Sequence, residues 1–548
     1  MRWAICVLLV ACGGGHGTAS GDAPADPDGS EQTGAYCPTG TNTTSTGGAQ
    51  ITLDVDLAQL TPVSDYIYGI NNYPEANYSL NYPNTQFGMM RWGGDSYSAW
   101  NWATNATNGG RDNGFTNTDQ FMPFAYGSDP ADPAYHDNPH DPNVGGAVVD
   151  GSDALHAGLP GLVTVSVQDY VAANANDQTV AYAPSADFTS NSPSQAGAQV
   201  TFFQAVGAAF YELDNEPNYW SGTHPEVFGT NDLSFDELVA RDTTYAAAIK
   251  VAAPSALVFG PVVAGVDGMT SLDDYGDLAA TNPYAATGVD AISYYLAHVA
   301  TASRQAGTRL VDVLDLHYYN DTKDKAGTPK TDEECAQGPR DFWDPSYSTV
   351  DTSYDDYITG WKPRRLIPRM TDEIAASYAG TRLAFTEYNN GCEQSIGGGV
   401  AEADTLGVFG QYGVFAATAW PLQPVTPGTS WLVGAFGAYR NYDGNGATVG
   451  SLATTSVSSD IATASVYGFA APNGVPTVQI VAINRTAAPV TAEIRLSNAC
   501  ALTSAQPYQL TSGSAAMVSA GGPIAITDNA FAYTLPALSV TTFALRSY

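Results

Sequence analysis

The chain has 548 residues, more than one hydrophobic core usually covers, so two or more domains are expected. Its 20 Lys and Arg against 55 Asp and Glu leave a formal charge of −35, which repels nucleic acid and anionic polysaccharides and argues against both as partners. Only 14 % of the residues are charged, and 55 Gly and 32 Tyr give the loop-rich composition of an exported protein.

Residues 1–11 join Arg2 to an apolar run too short to span a bilayer, which reads as an export signal. Leu9-Val10-Ala11 before Cys12 resembles a bacterial lipobox, so Cys12 is expected to carry lipid; an ordinary signal peptide with a chance cysteine is the alternative. Residues 12–48 lack hydrophobic periodicity and are expected to be a flexible tether. The protein is thus expected to be exported and held at an outer membrane or cell surface by its lipid alone, and to be a monomer.

Setting Cys6 and Cys12 aside leaves Cys37, Cys335, Cys392 and Cys500, an even number in an oxidising compartment. None has metal-ligand spacing and the seven histidines are scattered, so no metal ligands and no cofactor are expected. The Asp129–Asp141 loop offers oxygen ligands for a structural Ca2+ but lacks EF-hand spacing, and a solvated acidic loop is the expected reading.

Within residues 49–66 the alternation Ile51, Leu53, Val55 predicts a strand that joins a distant sheet. Residues 67–445 alternate short apolar runs with helical patterns. The runs are Ile67–Asn71, Gly88–Gly93, Leu162–Val167, Phe210–Glu216, Leu257–Val263, Val313–Tyr319, Leu383–Tyr388 and Thr418–Leu422. Eight parallel strands with crossover helices predict an α/β fold, the (β/α)8 TIM barrel. Ser234 with Glu237 is a capping-box pattern, Pro254 stops the helix it opens, and Asp290 and Gly307 bracket a second helix. Residues 446–548 turn to β-only alternation and predict a C-terminal β-sandwich.

Three peptides, FYELDNEP, DLHYYN and AFTEYNNG, place polar groups at the carboxyl ends of barrel strands, where barrel enzymes assemble their sites. They bring Asn215 and Glu216, His317 and Tyr319, and Glu387 to one end. Two carboxyl groups facing each other across a sugar are what glycoside cleavage needs. Strict alternation, however, points Asn215 and Glu216 to opposite faces, so a twist before Pro217 is required. Arg91 is expected to keep Glu387 ionised through its positive charge. His317 and Tyr319 are expected to orient Glu387 or the sugar. Trp92, Trp220, Trp420 and Trp431 are candidates for stacking on sugar faces, Trp420 foremost, with core packing equally open for each.

The blocks RWGGDSYSAWNW (91–102), YELDNEPNYWSGTHPE (211–226), VLDLHYYN (313–320) and LAFTEYNNG (383–391) resemble glycoside hydrolase family 44, which contains endoglucanases and xyloglucanases. The resemblance runs in order from about residue 50 to the end. It implies endo-acting, retaining cleavage of β-1,4-glucan backbones, with Glu216 as acid/base, Glu387 as nucleophile and Asn215 on the 2-hydroxyl of the attacked sugar. The family usually reads RWGGN where this chain has Asp95, which bears on the subsite contacts there. A non-catalytic polysaccharide-binding lipoprotein, and another barrel glycosidase such as an arabinofuranosidase or mannanase, are the competing readings. Cys335 and Cys392 follow the sixth and seventh strands and are expected to pair, leaving Cys37 with Cys500.

Overall fold

A computed structural model describes residues 32–33, 48–71, 87–119, 160–180, 185–205, 208–228, 233–272, 287–320, 328–349, 361–422, 430–472 and 477–547. The expected signal, Cys12, nearly all of the tether, Cys37 and the Asp129–Asp141 loop lie outside them.

Strand β1 (Ile51–Pro62) precedes eight parallel strands: β2 (Gly69–Asn71), β3 (Met89–Trp92), β4 (Gly161–Val165), β5 (Phe210–Leu213), β6 (Leu257–Ala264), β7 (Val313–Tyr319), β8 (Arg382–Asn389) and β9 (Ala416–Ala419). Each pairs with the next and β9 pairs with β2, so the sheet closes into a barrel. The first and last strands differ from the sequence reading by a few residues. Asp65–Tyr68 forms a 3-10 turn capped by Ser64, so β2 begins only at Gly69.

Helices cover the barrel. They are α1 (Pro193–Ala205), α2 (Phe235–Ala252), α3 (Ala291–Ala306), α4 (Leu366–Ser377), α5 (Ile396–Gln411) and α6 (Trp431–Arg440). The Ser234 side chain accepts from the backbone N–H of Glu237 to open α2, and Asp290 accepts from that of Ser293 to open α3. Gly307 closes α3 at φ 70°, a left-handed cap that glycine adopts without strain.

The period of two sorts the barrel interior into layers. Its floor is apolar: Met89, Leu162, Phe210, Phe259, Val313, Ala384, Phe415 and Ala416 form one buried cluster. Two residues further along the same strands lie Arg91, Thr164, Glu212, Asp315, Thr386 and Thr418, all buried. The interior thus changes from hydrocarbon to ionic one layer below the carboxyl ends.

The C-terminal strands are β10 (Leu452–Ser458), β11 (Ala464–Ala470), β12 (Val478–Asn484), β13 (Val490–Ser497), β14 (Leu502–Thr511), β15 (Ser514–Ser519), β16 (Ala530–Leu535) and β17 (Ser539–Ser547). They form one continuous sheet in the order β15-β14-β17-β12-β11-β10-β1-β13-β16. The sandwich arises because this sheet folds over: Phe531 of the last strand meets Phe543 of the third, with ring centroids 5.2 Å apart. Strand β1 lies inside the sheet, antiparallel to β10 and parallel to β13.

Helix α5 is apolar nearly all round and buried from Ile396 to Gly410, wedged between barrel and sheet. Its Asp404 accepts from Arg485 Nη2 at 2.5 Å and from the Tyr467 hydroxyl at 2.8 Å, a fully buried ion pair across the domain boundary. A disulfide joins Cys335 to Cys392 on the carboxyl-end face. Cys500 is also disulfide-bonded. No helix among the described residues is long and apolar enough to cross a membrane.

Candidate active site

The ionic layer is organised by Arg91, which points inward from β3 because Met89, two residues before, sits on the floor. Its guanidinium is fully buried and serves four side chains. Nε donates to Glu212 Oε2 at 2.8 Å, Nη1 to Glu387 Oε1 at 2.7 Å and Asn71 Oδ1 at 3.1 Å, and Nη2 to Asn215 Oδ1 at 2.9 Å. A planar fork of five N–H donors matches this arrangement; a lysine point charge does not. Buried completely, Arg91 holds the groups that meet a ligand rather than meeting one itself.

Glu212 is the residue that the sequence reading missed. It lies fully buried in β5, receives the Thr164 hydroxyl as well as Arg91, and supplies the counter-charge of the arginine. A lone Glu between apolar neighbours inside a barrel strand was the available signal, since such a charge needs a partner.

Two local distortions bring Glu216 and Glu387 together. Strand β5 stops at Leu213, and Asp214 and Glu216 then take left-handed φ values of 66° and 43°. This breaks the alternation, so Asn215 reaches Arg91 while Glu216 reaches Nδ1 of His317 at 2.9 Å. Asp214 holds the turn by accepting from the backbone N–H of Val167 at 2.6 Å and of Asn215 at 2.9 Å. On β8 the register shifts, Leu316 pairing with Phe385 but His317 with Glu387, so Thr386 is the extra residue of a bulge. Both Thr386 and Glu387 therefore address the interior: Thr386 Oγ1 lies 3.2 Å from His317 Nε2, and Glu387 accepts from Arg91.

Glu387 is held on both oxygens, since the Tyr319 hydroxyl donates to Oε2 at 2.6 Å. A carboxylate oxygen of Glu216 and one of Glu387 lie within 4.8 Å of each other. Inverting glycosidases leave room for water with carboxyl groups about 6.5–9.5 Å apart, whereas retaining ones stand at about 5–5.5 Å. Oxygens this close fit the second kind. Burial pushes Glu216 up to about 7; the charge of Arg91 works against the rise and that of Asp112 adds to it. Desolvation, rather than a neighbouring negative charge, leads the rise. His317 is pushed down to about 3, chiefly by burial, and is a neutral imidazole at any working pH.

Glu216, His317 and Glu387 form the one trio among the described residues whose ligand atoms all fall within 4.8 Å. With a guanidinium 2.7 Å from one Glu387 oxygen and a phenol on the other, the donor set suits two carboxyl groups facing a substrate better than a cation.

The tryptophans divide. Trp92 follows an inward arginine on β3, so it faces outward, 2 % exposed, against Phe203 of α1 at 5.8 Å; it packs the core and cannot stack on a sugar. Trp220 is buried and stacked on Phe228, and its Nε1 donates to the carbonyl of Asn215, bracing the turn after β5. Trp431 donates to the Thr511 carbonyl at the domain boundary. Trp420 is half-buried at the end of β9, and its ring edge lies so close to Gly94 that a Cβ there would stand 2.7 Å from it. Beside that glycine, half-buried Asp95 accepts from Asn215 Nδ2 at 3.0 Å, so Asn215 is held between Arg91 and Asp95.

A family model, glycoside hydrolase family 44, matches residues 195–322, which carry Asn215, Glu216, His317 and Tyr319. The chain is 29 % identical over 535 residues to endoglucanase A of Paenibacillus lautus, covering 88 % of this chain and 71 % of that one. Among solved structures it is similar to a family 44 xyloglucanase from Paenibacillus polymyxa solved with xyloglucan, at TM-score 0.79 and 28 % identity over 91 % of this chain and all of the other. It is also similar to a family 44 endoglucanase from Clostridium thermocellum, at TM-score 0.78 and 26 % identity over 91 % of this chain and all of the other. A family match over the fourth to sixth barrel strands, relatives along nearly the whole length and the same barrel with its sandwich point one way: the chain is similar throughout to members of glycoside hydrolase family 44.

Proposed function

We propose that the protein is an endo-acting, retaining glycoside hydrolase that cuts β-1,4-glucan backbones, cellulose-type glucan or xyloglucan, using Glu387 as nucleophile and Glu216 as acid/base. The observation that carries this reading is the approach of the two carboxyl groups to within 4.8 Å. In the first step an oxygen of Glu387 attacks the anomeric carbon, the bond to the leaving sugar breaks, and the Glu216 proton passes to the departing oxygen. In the second, Glu216, now a carboxylate, takes a proton from water as that water displaces Glu387 and restores the original configuration. Arg91 and Tyr319 fix both oxygens of Glu387, and Asn215, clamped between Arg91 and Asp95, has one amide N–H left for the 2-hydroxyl of the attacked sugar. No cofactor enters these steps. From the Leu9–Cys12 motif we further propose a lipid-anchored, exported enzyme acting at the cell surface, which Cys12→Ser should release from membranes.

The test is the first product from a cello-oligosaccharide or xyloglucan, followed by NMR before mutarotation. A β-configured reducing end is expected; an α-configured one sinks the assignment of Glu387 as nucleophile. A parallel panel of mannan and arabinan, if cleaved in preference to glucan, overturns the substrate class.

A further inference from the structure

Below the two glutamates a file of hydrogen bonds runs into the barrel. Thr386 Oγ1 is 2.7 Å from Asp315 Oδ1, and the backbone N–H of Thr386 donates to the same oxygen at 3.2 Å. His317 Nε2 is 3.2 Å from Thr386 Oγ1, and His317 Nδ1 is 2.9 Å from Glu216 Oε1. Asp315, His317 and Thr386 are all fully buried, so solvent supplies no alternative partner to any of them. A hydroxyl has one proton. Asp315 Oδ1 already accepts the backbone N–H of Thr386, so any proton on Asp315 sits on Oδ2 and Oδ1 takes the Thr386 hydroxyl proton as well. The hydroxyl oxygen must then accept from His317, which puts the imidazole proton on Nε2. The lone pair of Nδ1 then faces Glu216, and only a protonated Glu216 can complete that contact.

We propose that Asp315 and Thr386 are positioning residues that set the tautomer of His317, and that the bare Nδ1 so created holds Glu216 in its acid form before cleavage. The inference deepens the acid/base reading of Glu216 and rests on it. A hydrogen bond made to the neutral form of a carboxyl favours that form, so the file helps keep the Glu216 proton. His317 is pushed low enough by burial to stay neutral, so it is the tautomer, not the charge, that the file selects. The charged and titratable groups facing this pair come from four other elements. Glu387 Oε2 stands 3.6 Å from His317 Nδ1, Arg91 acts on both His317 and Glu216, Asp112 on Glu216, and Glu216 in turn on Asp95. Releasing the proton to the leaving sugar leaves Glu216 ionised beside a lone pair. That contact becomes repulsive and favours return of a proton from water in the second step.

The experiment uses the full-length protein labelled with 15N-histidine, the His317 resonances being assigned by their loss in His317→Gln. Long-range 1H–15N correlation distinguishes a protonated Nε2 with bare Nδ1 from the opposite tautomer, and it does so whether or not the enzyme turns over glucan. The expected result is the Nε2–H form in the wild type. In Thr386→Val, which removes the hydroxyl and keeps the shape, a mixture or the Nδ1–H form should appear. An Nδ1–H donor favours ionised Glu216, so the alkaline limb of kcat/KM should move down by about one pH unit in Thr386→Val. Thr386→Ser should restore both signals. A wild-type Nδ1–H tautomer, or an Nε2–H signal and alkaline limb unmoved in folded Thr386→Val, overturns the proposal. Retained Nε2–H in an enzyme whose Glu216 proves not to be the acid leaves the tautomer assignment standing and removes only its catalytic consequence.

Discussion

Truncating Glu216 to alanine separates the two halves of the reaction. The Glu216 side chain is 16 % exposed and meets His317, with Glu387 facing it across the space for the anomeric carbon. A positioned general acid contributes about 10²–10⁴-fold. At about 1.4 kcal/mol per tenfold, Glu216→Ala should raise the barrier for glucan by about 3–5 kcal/mol. An aryl β-cellobioside with a good leaving group needs no proton at departure, so its first step should survive and glycosyl-enzyme should accumulate as a burst. Azide fits the space vacated by the carboxyl group, needs no base, and should release a β-glycosyl azide. Folding should not suffer, because burial disfavours the ionised form of Glu216 and the native state gains little from it. The assays are burst kinetics, NMR of the azide adduct and a thermal melt. An α-azide, or a loss on the aryl substrate as large as on glucan, would refute the assignment.

Four further outcomes follow from contacts on the same map. Asp95→Ala frees Asn215 from one side of its clamp and should lower kcat on glucan by about tenfold, one buried hydrogen bond's worth, with Asp95→Asn recovering most of it, as steady-state kinetics will show. Trp420→Ala removes a half-buried ring at the site mouth and should raise KM by about 2–10-fold with a smaller effect on kcat. Arg485→Met strands the buried Asp404 charge and should cost about 3–5 kcal/mol in denaturant unfolding, while the double variant with Asp404→Leu should regain much of it. Burial pushes Asp315, Glu402 and Glu373 each up to about 8. Carboxyl groups raised in the native state contribute stability that is complete below their unfolded values and is lost as pH rises through about 8, so the melting temperature should fall from about pH 5 to pH 8 in differential scanning fluorimetry.

The eight barrel strands were legible because each is a short apolar run between a helix stop and a turn, and helices α2 and α3 because Ser234, Asp290 and Gly307 mark their ends. What the pattern of alternation carries, it carried correctly where the strand is regular: Arg91 inward makes Trp92 outward, and reading that one step would have removed Trp92 from the sugar-binding candidates. The pattern fails where the backbone leaves the strand. The break before Pro217 was required by the clash of alternation with a shared site, though not its left-handed form, whereas the bulge at Thr386 has no residue that announces it; these two irregularities aim the paired carboxyl groups. The part played by Glu212 was hidden differently, since its partner Arg91 is 121 residues away and only closure of the barrel brings them together.

Strand β1 occupies an interior place in a sheet whose other main strands all follow residue 451. A ribosome therefore releases this strand first and its neighbours last, with the whole barrel emerging in between. Until β10 and β13 arrive, Ile51, Leu53 and Val55 have no covering, and a translocating or refolding chain must keep that segment from other edges. For anyone recombining modules, cutting once before the C-terminal strands does not yield a barrel and a sandwich but a barrel with an uncovered strand and a sheet with a missing rung. The graft that works must carry both ends.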